Sequence, residues 1–262
     1  MLLAAIAVSA CASARTVPAS LKAELAPTGT LRAAINYNNP LLAKRDPVTG
    51  ELSGLAVDLS RELAKRVGVP VELIPYDAAG KISGSVKSGA WDIAYLAVDP
   101  ARATEIEFTS AHSDLEGTYL VPAGSPLQKI EDVDRPGVRI AVTAKSAYDL
   151  FLSRALKNAK MVYADSTPES FKLMIDQKLD AVAGVKTALV TESRNQPGSR
   201  VLSGNFMTIP QAAGVPKGRT AAARFVSQFI EDMKASGFIA AAHKKYGLGP
   251  DDVIVAAPAP VR

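Results

Sequence analysis

Apolar residues in this sequence come in two alternating textures. Short unbroken runs are followed by stretches in which apolar positions recur every third or fourth residue, the signature of buried strands alternating with helices. Residues 31–37 (LRAAINY) predict a buried strand, and Asp58 to Val67 a helix with Leu59, Leu63 and Val67 on one side. Asp58 stands in the first turn of that helix, Lys65 and Arg66 in the last, and Gly68 and Pro70 stop it. Residues 69–76 predict the next strand, Ile82 to Ser88 a short helix closed by Gly89, and residues 91–98 a third strand. A β-α-β-α-β series predicts a parallel sheet with helices on both faces.

The pattern then repeats. Residues 138–143 predict a strand, Ser146 to Leu156 a helix, residues 160–164 a strand and residues 179–185 another. Between the last two, Ser166-Thr167-Pro168-Glu169 has a capping-box spacing, with Pro just inside a helix that runs to Lys178. A further helix reaches about Asn195. Residues 206–215 read as extended chain, and Thr220 to Ala235 as an amphipathic helix stopped by Gly237. A last helix ends at Tyr246-Gly247. Two α/β units joined by extended crossings near 119–124 and 206–214 predict a two-lobed protein whose final helices return to the first lobe. In such folds ligands sit at strand ends and in the cleft between lobes.

The start of the chain reads as an address. Residues 2–8 (LLAAIAV) are a short apolar run, and Ala12-Ser13-Ala14 fits a small-x-small cleavage site, which makes residues 1–14 a signal segment. Val8-Ser9-Ala10-Cys11 also resembles a lipobox, in which Cys11 would carry lipid. Both readings predict export to the periplasm. Residues 15–28 read as a polar leader.

Composition narrows the chemistry. Across 262 residues, 48% apolar and 21% charged content excludes a disordered chain. The net charge of +4 is spread along the sequence without a basic block, so nucleic acid is not an expected partner. No apolar run approaches the ~18 residues needed to span a bilayer. One Cys and two His exclude a Cys-built zinc cluster and leave little for a His-built metal site. No metal or cofactor is expected, and no nucleophile elbow, phosphate loop or HExxH pattern occurs.

Four blocks in order carry a resemblance. They are ELSGLAVDLSRELAKRVGVPVELIPY (51–76), SGAWDIAYLAVDPARATEIEFTSAH (88–112), KLDAVAGVKTAL (178–189) and GVPKGRTAAARFVSQFIEDMKASGFIAAAHKKYG (214–247). Together they resemble the extracellular solute-binding proteins of ABC importers, amino-acid type (family 3), over roughly residues 28–248. The resemblance implies an α/β, two-lobed periplasmic-binding architecture of type II, with parallel-rich sheets, flanking helices and a two-segment hinge. Lobe 1 would be residues 28–121 with 212–262, and lobe 2 residues 122–211. A monomer of this kind closes on a small solute and docks on an ABC permease in the inner membrane.

The resemblance also points to residues. Arg102 holds the position that grips a ligand carboxylate, and a guanidinium suits that task because it is planar, permanently charged and able to donate two parallel bonds. The alternative is a surface Arg paired with Asp99 or Glu105. Ser146, between a strand and a helix, is either a ligand contact at a helix N-terminus or a plain N-cap. Lys145 replaces a usual Gly and either charges the cleft mouth or faces water. Ala97 stands where the family carries Ser or Thr. Val185 stands where the family carries the Asp that pairs with the ligand ammonium. Asp77, Asp114 and Glu116 are candidate substitutes for it. Asn38 and Asn39, and also Leu55, take places that are often aromatic. Tyr95 reads as core packing or contact, Gln211 as contact or as support for the crossing, His112 as a surface or hinge residue, and Trp91 as packing. A buried ammonium without a counter-ion is costly, so the expected solute is an amino acid served by another acid, or an amine-free carboxylate. Two other functions fit the fold: a dehydratase of prephenate-like acids, which needs a cleft acid, and a ligand-sensing domain. The chain's end at Arg262 favours a free-standing protein over the sensor.

Overall fold

The computed structural model describes residues 17–249 and 253–257. The expected signal segment, Cys11 included, lies outside the described residues. The chain runs α1 (Ala19–Leu25), β1 (Leu31–Asn36), β2 (Lys44–Arg45), β3 (Leu52–Ser53), α2 (Leu55–Val67), β4 (Val71–Tyr76), α3 (Ala79–Gly84) and β5 (Ile93–Ala97). It continues through β6 (Ile106–Phe108), β7 (Ser113–Val121), β8 (Arg139–Thr143), α4 (Ala147–Ala155), β9 (Lys160–Ala164), α5 (Thr167–Asp176) and β10 (Ala181–Val185). It ends with α6 (Lys186–Ser193), β11 (Arg200–Val201), β12 (Met207–Pro216), α7 (Thr220–Ala235), α8 (Phe238–Lys245) and β13 (Ile254–Val255).

The strand order is β4-β1-β5-β12-β7-β10-β8-β9. At one end β4, β1 and β5 are parallel, and at the other β10, β8 and β9 are parallel. Between them the two long strands β12 and β7 run antiparallel to each other and to their neighbours. The expected parallel-rich units are present, and both extended crossings are themselves hydrogen-bonded strands. They join two parallel halves into one curled sheet, and the fold is two-lobed.

Hydrophobic burial separates the halves. One core combines α2, β1 and β5 with Leu115, Ile209 and the inner face of α7, including Val226, Phe229 and Ile230. Trp91 is buried in a satellite cluster beside it and donates to the Ile82 carbonyl at 3.0 Å. The other half has its own clusters, all within residues 119–207, around Val142, Tyr148 and Leu152 on one face and Phe171 and Leu189 on the other.

Three differences from the sequence reading have local causes. The polar leader contains α1, whose Leu21 and Leu25 pack into the core that α7 also closes. Helix α2 starts at Leu55, not Asp58, because Gly54 turns the chain at φ 135°. A Cβ on Gly54 would lie 2.4 Å from the Leu42 carbonyl oxygen, so the entry to α2 requires glycine. The helix predicted at Ile82–Ser88 begins earlier, as α3, and ends in a separate short turn.

Candidate functional site

Parallel strands expose their carboxyl ends in one direction, and here the ends of both halves face one another. Asn36, Ala97, Thr143 and Val185 are the last residues of β1, β5, β8 and β10, and all four line one cavity. This is the crevice in which open α/β sheets bind ligands. The cavity is about 60 Å3, room for a compact solute.

Arg102 follows β5 in a single turn and is 4% exposed, so the surface-pair alternative does not hold. Asp99 instead pairs with Arg154, and Glu105 with Lys87. The guanidinium donates to the Ala97 carbonyl at 3.0 Å and, across the lobes, to the Lys145 carbonyl at 2.9 Å. Its Nε is buried without a partner. Burial lowers its pKa to about 10, against a weaker pull from Asp99, so it stays charged at neutral pH. A buried cation with an idle donor beside a cavity is equipped for an anion.

The other half contributes helix N-termini. Ser146 caps α4 by accepting from the Asp149 N–H at 3.0 Å. Ser166 and Thr167 begin α5, and Val185 is the N-cap of α6. Ser146, Thr167 and Val185 all line the cavity, so three positive helix ends meet there. Lys145 adopts a left-handed φ of 57°, which explains why a Gly suits this place. Lys145 is exposed and lies outside the cavity lining. The lobes approach closely at this point: a Cβ on Gly80 would sit 2.6 Å from Lys145 Cβ.

Of the residues singled out in the sequence, Asn38, Tyr95, Ala97, Arg102, Ser146, Val185 and Gln211 line the cavity. Asn39 joins them. Leu55 does not: it is the first residue of α2, fully buried in the core, and Leu42 takes its place at the wall. Tyr95 is fully buried and also lines the cavity. Gln211 pairs with Ala97 across β12 and β5, and its backbone carbonyl accepts from the His112 N–H at 2.8 Å. No Asp or Glu appears among the described residues that line the cavity. Asp77 pairs with Lys81, and Glu116 with Lys186 and Asn205. The sequence reading missed Thr143, Tyr148 and Thr167. The rule that strand carboxyl ends form the crevice would have selected Thr143, the last residue of the predicted strand 138–143.

His112 is fully buried rather than at the surface. Ser113 Oγ lies 2.9 Å from His112 Nδ1 and 2.9 Å from His243 Nε2, at the start of β7. The hydroxyl has one hydrogen, so it donates to one imidazole and accepts from the other. Burial, with His243 and Lys234 adding repulsion, holds His112 down to about 3. Burial holds His243 down to about 4. Unfolded imidazoles titrate near 6.5, so below that pH the unfolded chain takes up protons that the folded chain refuses. Stability is therefore lost from about pH 6.5 down toward pH 4, by about 1.4 kcal/mol per pH unit for each imidazole. Thermal melts across this window should show a steep fall in Tm, with His243→Gln reducing the slope by about half. A melting temperature independent of pH between 6.5 and 5 would contradict the assignment of these two groups as buried and neutral.

Comparison with known proteins sets the site in context. The family of bacterial extracellular solute-binding proteins, family 3, matches residues 31–249. The ABC transporter glutamine-binding protein GlnH of Bacillus subtilis (strain 168) is 20% identical over 216 residues, which cover 81% of this chain and 79% of that protein. The solved solute receptor for L-cysteine of Neisseria gonorrhoeae superposes with a TM-score of 0.77 at 23% identity, covering 88% of this chain and 97% of that one. An ancestral amino acid-binding protein, AncCDT-1, a precursor of cyclohexadienyl dehydratase, gives a TM-score of 0.73 at 22% identity, covering 87% and 98%.

Proposed function

The chain belongs to the bacterial extracellular solute-binding proteins, family 3, and from that premise we propose that it captures a small, amine-free carboxylate for an ABC importer. The observation that carries this reading is the buried Arg102, with its unpartnered Nε, on a cavity whose described lining holds no acidic side chain. The carboxylate takes the guanidinium, and the positive ends of α4, α5 and α6 add to the attraction. An ammonium would meet that same positive field without a counter-ion, because Val185 occupies the place of the usual Asp. The ligands named for similar proteins, glutamine and L-cysteine, are amino acids. This chain is read as departing from them at Val185.

Capture proceeds by closure of two lobes, residues 28–121 with 212–262 and residues 122–211. The bond from Arg102 to the Lys145 carbonyl and the Arg154–Asp99 pair at 3.0 Å both join one lobe to the other and support this reading. Contacts to both lobes favour the closed state in proportion to the ligand's preference for it. The protein acts in the periplasm as a monomer that delivers to an inner-membrane permease. A dehydratase needs a placed general acid. The absence of Asp and Glu from the described lining supports binding over catalysis.

A thermal-shift panel that pairs amino acids with the matching amine-free acids tests the reading. A ligand at about 100 times its Kd adds roughly 2.7 kcal/mol, or about 5–10 °C in Tm for a chain of this size. Shifts with the amine-free acids support it, whereas shifts confined to amino acids overturn it. Val185→Asp should reverse the preference by supplying the missing counter-ion, raising affinity for an amino acid by about tenfold or more. An unchanged preference in that variant would show that the ammonium site lies elsewhere.

A further inference from the structure

The wall of the cavity formed by β8, α4 and α5 carries hydroxyls instead of charges. Tyr148 donates to Thr143 Oγ1 at 2.8 Å. Thr143 Oγ1 lies 3.3 Å from Ser170 Oγ and 3.5 Å from Thr167 Oγ1. Ser170 donates to the Thr167 carbonyl at 2.7 Å, which commits its hydrogen outside the hydroxyl chain. Burial raises the Tyr148 phenol's pKa, so it stays protonated. Tyr148 and Thr143 are 5% and 3% exposed, yet both line the cavity, together with Ser146 and Thr167.

Each hydroxyl carries one hydrogen and two lone pairs. Tyr148 gives its hydrogen to Thr143, Thr143 gives its own to Thr167, and Ser170 gives its own to the Thr167 carbonyl, which leaves the Thr167 hydrogen and a surplus of lone pairs uncommitted. The surface is therefore neutral and able both to accept and to donate, as a hydroxyl group does, on the same cavity as Arg102. A plain alkyl chain against it would leave the remaining lone pairs of these oxygens dry. A second carboxylate has no hydrogen to give. An ammonium has hydrogens, but it also has a charge that Arg102 and three helix N-termini oppose.

We propose that the solute carries a hydroxyl group that docks on the Tyr148–Thr143–Thr167 cluster, so that the cavity selects small hydroxy carboxylates. The proposal rests on the carboxylate reading of Arg102. The hydroxyl donates to a surplus lone pair of the cluster while the carboxylate holds the guanidinium. A site built around a hydroxyl rejects the analogue that lacks it, because the buried polar groups then lose their partner.

The test is calorimetric titration of the protein with matched short-chain acids: propionate against lactate and hydroxypropionate, and butyrate against its hydroxy isomers. One hydroxy isomer should bind at least about tenfold tighter than its plain acid. Tyr148→Phe should shrink that preference, lowering the hydroxy acid several-fold more than the plain acid. An equal loss for both acids would mark Tyr148 as structural and overturn the proposal. Plain acids that bind as tightly as every hydroxy isomer, in a protein that still needs Arg102, would also overturn it while the carboxylate reading stands. Binding of none of these acids would remove both.

Discussion

Arg102→Ala should weaken solute binding by at least about 100-fold while the ligand-free protein still folds. Truncating one partner of a buried charge pair costs ~2–5 kcal/mol, because the other charge is left desolvated and alone. In this cavity the loss is compounded. The same guanidinium donates to Ala97 on one lobe and to the Lys145 carbonyl on the other, so the variant also loses a bond that joins the lobes. The fold should tolerate the change, since Arg102 is a buried cation that no carboxylate hydrogen-bonds in the protein alone. Its removal relieves a desolvated charge and leaves two carbonyls short of one donor each, a cost of about 1 kcal/mol apiece. Arg102→Lys should fall between, keeping the charge but losing the planar fork. Calorimetric titration with the best acid, alongside melts of the ligand-free variants, reads both quantities. Wild-type affinity in Arg102→Ala would end the assignment of this residue as the anion site.

Asp92→Ala should produce the largest loss of stability without touching the cavity. Asp92 is fully buried and holds two guanidinium groups. Arg32 grips it with Nε at 2.9 Å and Nη2 at 2.9 Å, and Arg219 reaches it at 2.8 Å. Arg219 also donates to the Glu24 carbonyl at 3.0 Å, so one carboxylate ties β1 to the start of α7 and the end of α1. Breaking a buried pair by removing one partner costs about 3–5 kcal/mol. For a chain of this size that is a drop of roughly 6–20 °C in Tm. Solute affinity measured well below the transition should stay as it was. A melting temperature lowered by less than about 3 °C would mean that solvent takes over the two guanidinium groups at little cost.

The regular elements were legible because each carries its own periodicity. The strand at residues 160–164 and the helix from Thr220 to Ala235 agree with the structure residue for residue. Elements that depend on a distant partner were not legible. Helix α1 has seven residues and two buried leucines, too little to declare itself without α7. Strand β7 owes its length to pairing with β12, β10, β11 and β13, all far along the chain. At the site, the sequence pointed to residues with conspicuous chemistry, such as Arg102, or conspicuous departures, such as Val185. It was silent on Thr143, Tyr148 and Thr167, because a hydroxyl near a helix start looks like a cap and a tyrosine on an apolar face looks like core. Leu55 opens α2 directly after Gly54 and is buried in the core, not at the cavity wall.

The placement of the buried clusters also sets an order of assembly. Every residue in the clusters of the β8–β9–β10 half lies between residues 119 and 207, so that half is complete once the chain has passed β12. The opposite core draws on Leu21 at one end and on Phe229, Ile230 and Val253 at the other. A chain made from its N-terminus therefore closes its second half first and holds the apolar faces of β1, β5 and α2 uncovered until α7 arrives. The first residues to be synthesised wait for the last, and α7 acts as the bolt of the whole molecule. Until it is in place, the core behind β1 and β5, whose ends line the cavity, is unfinished.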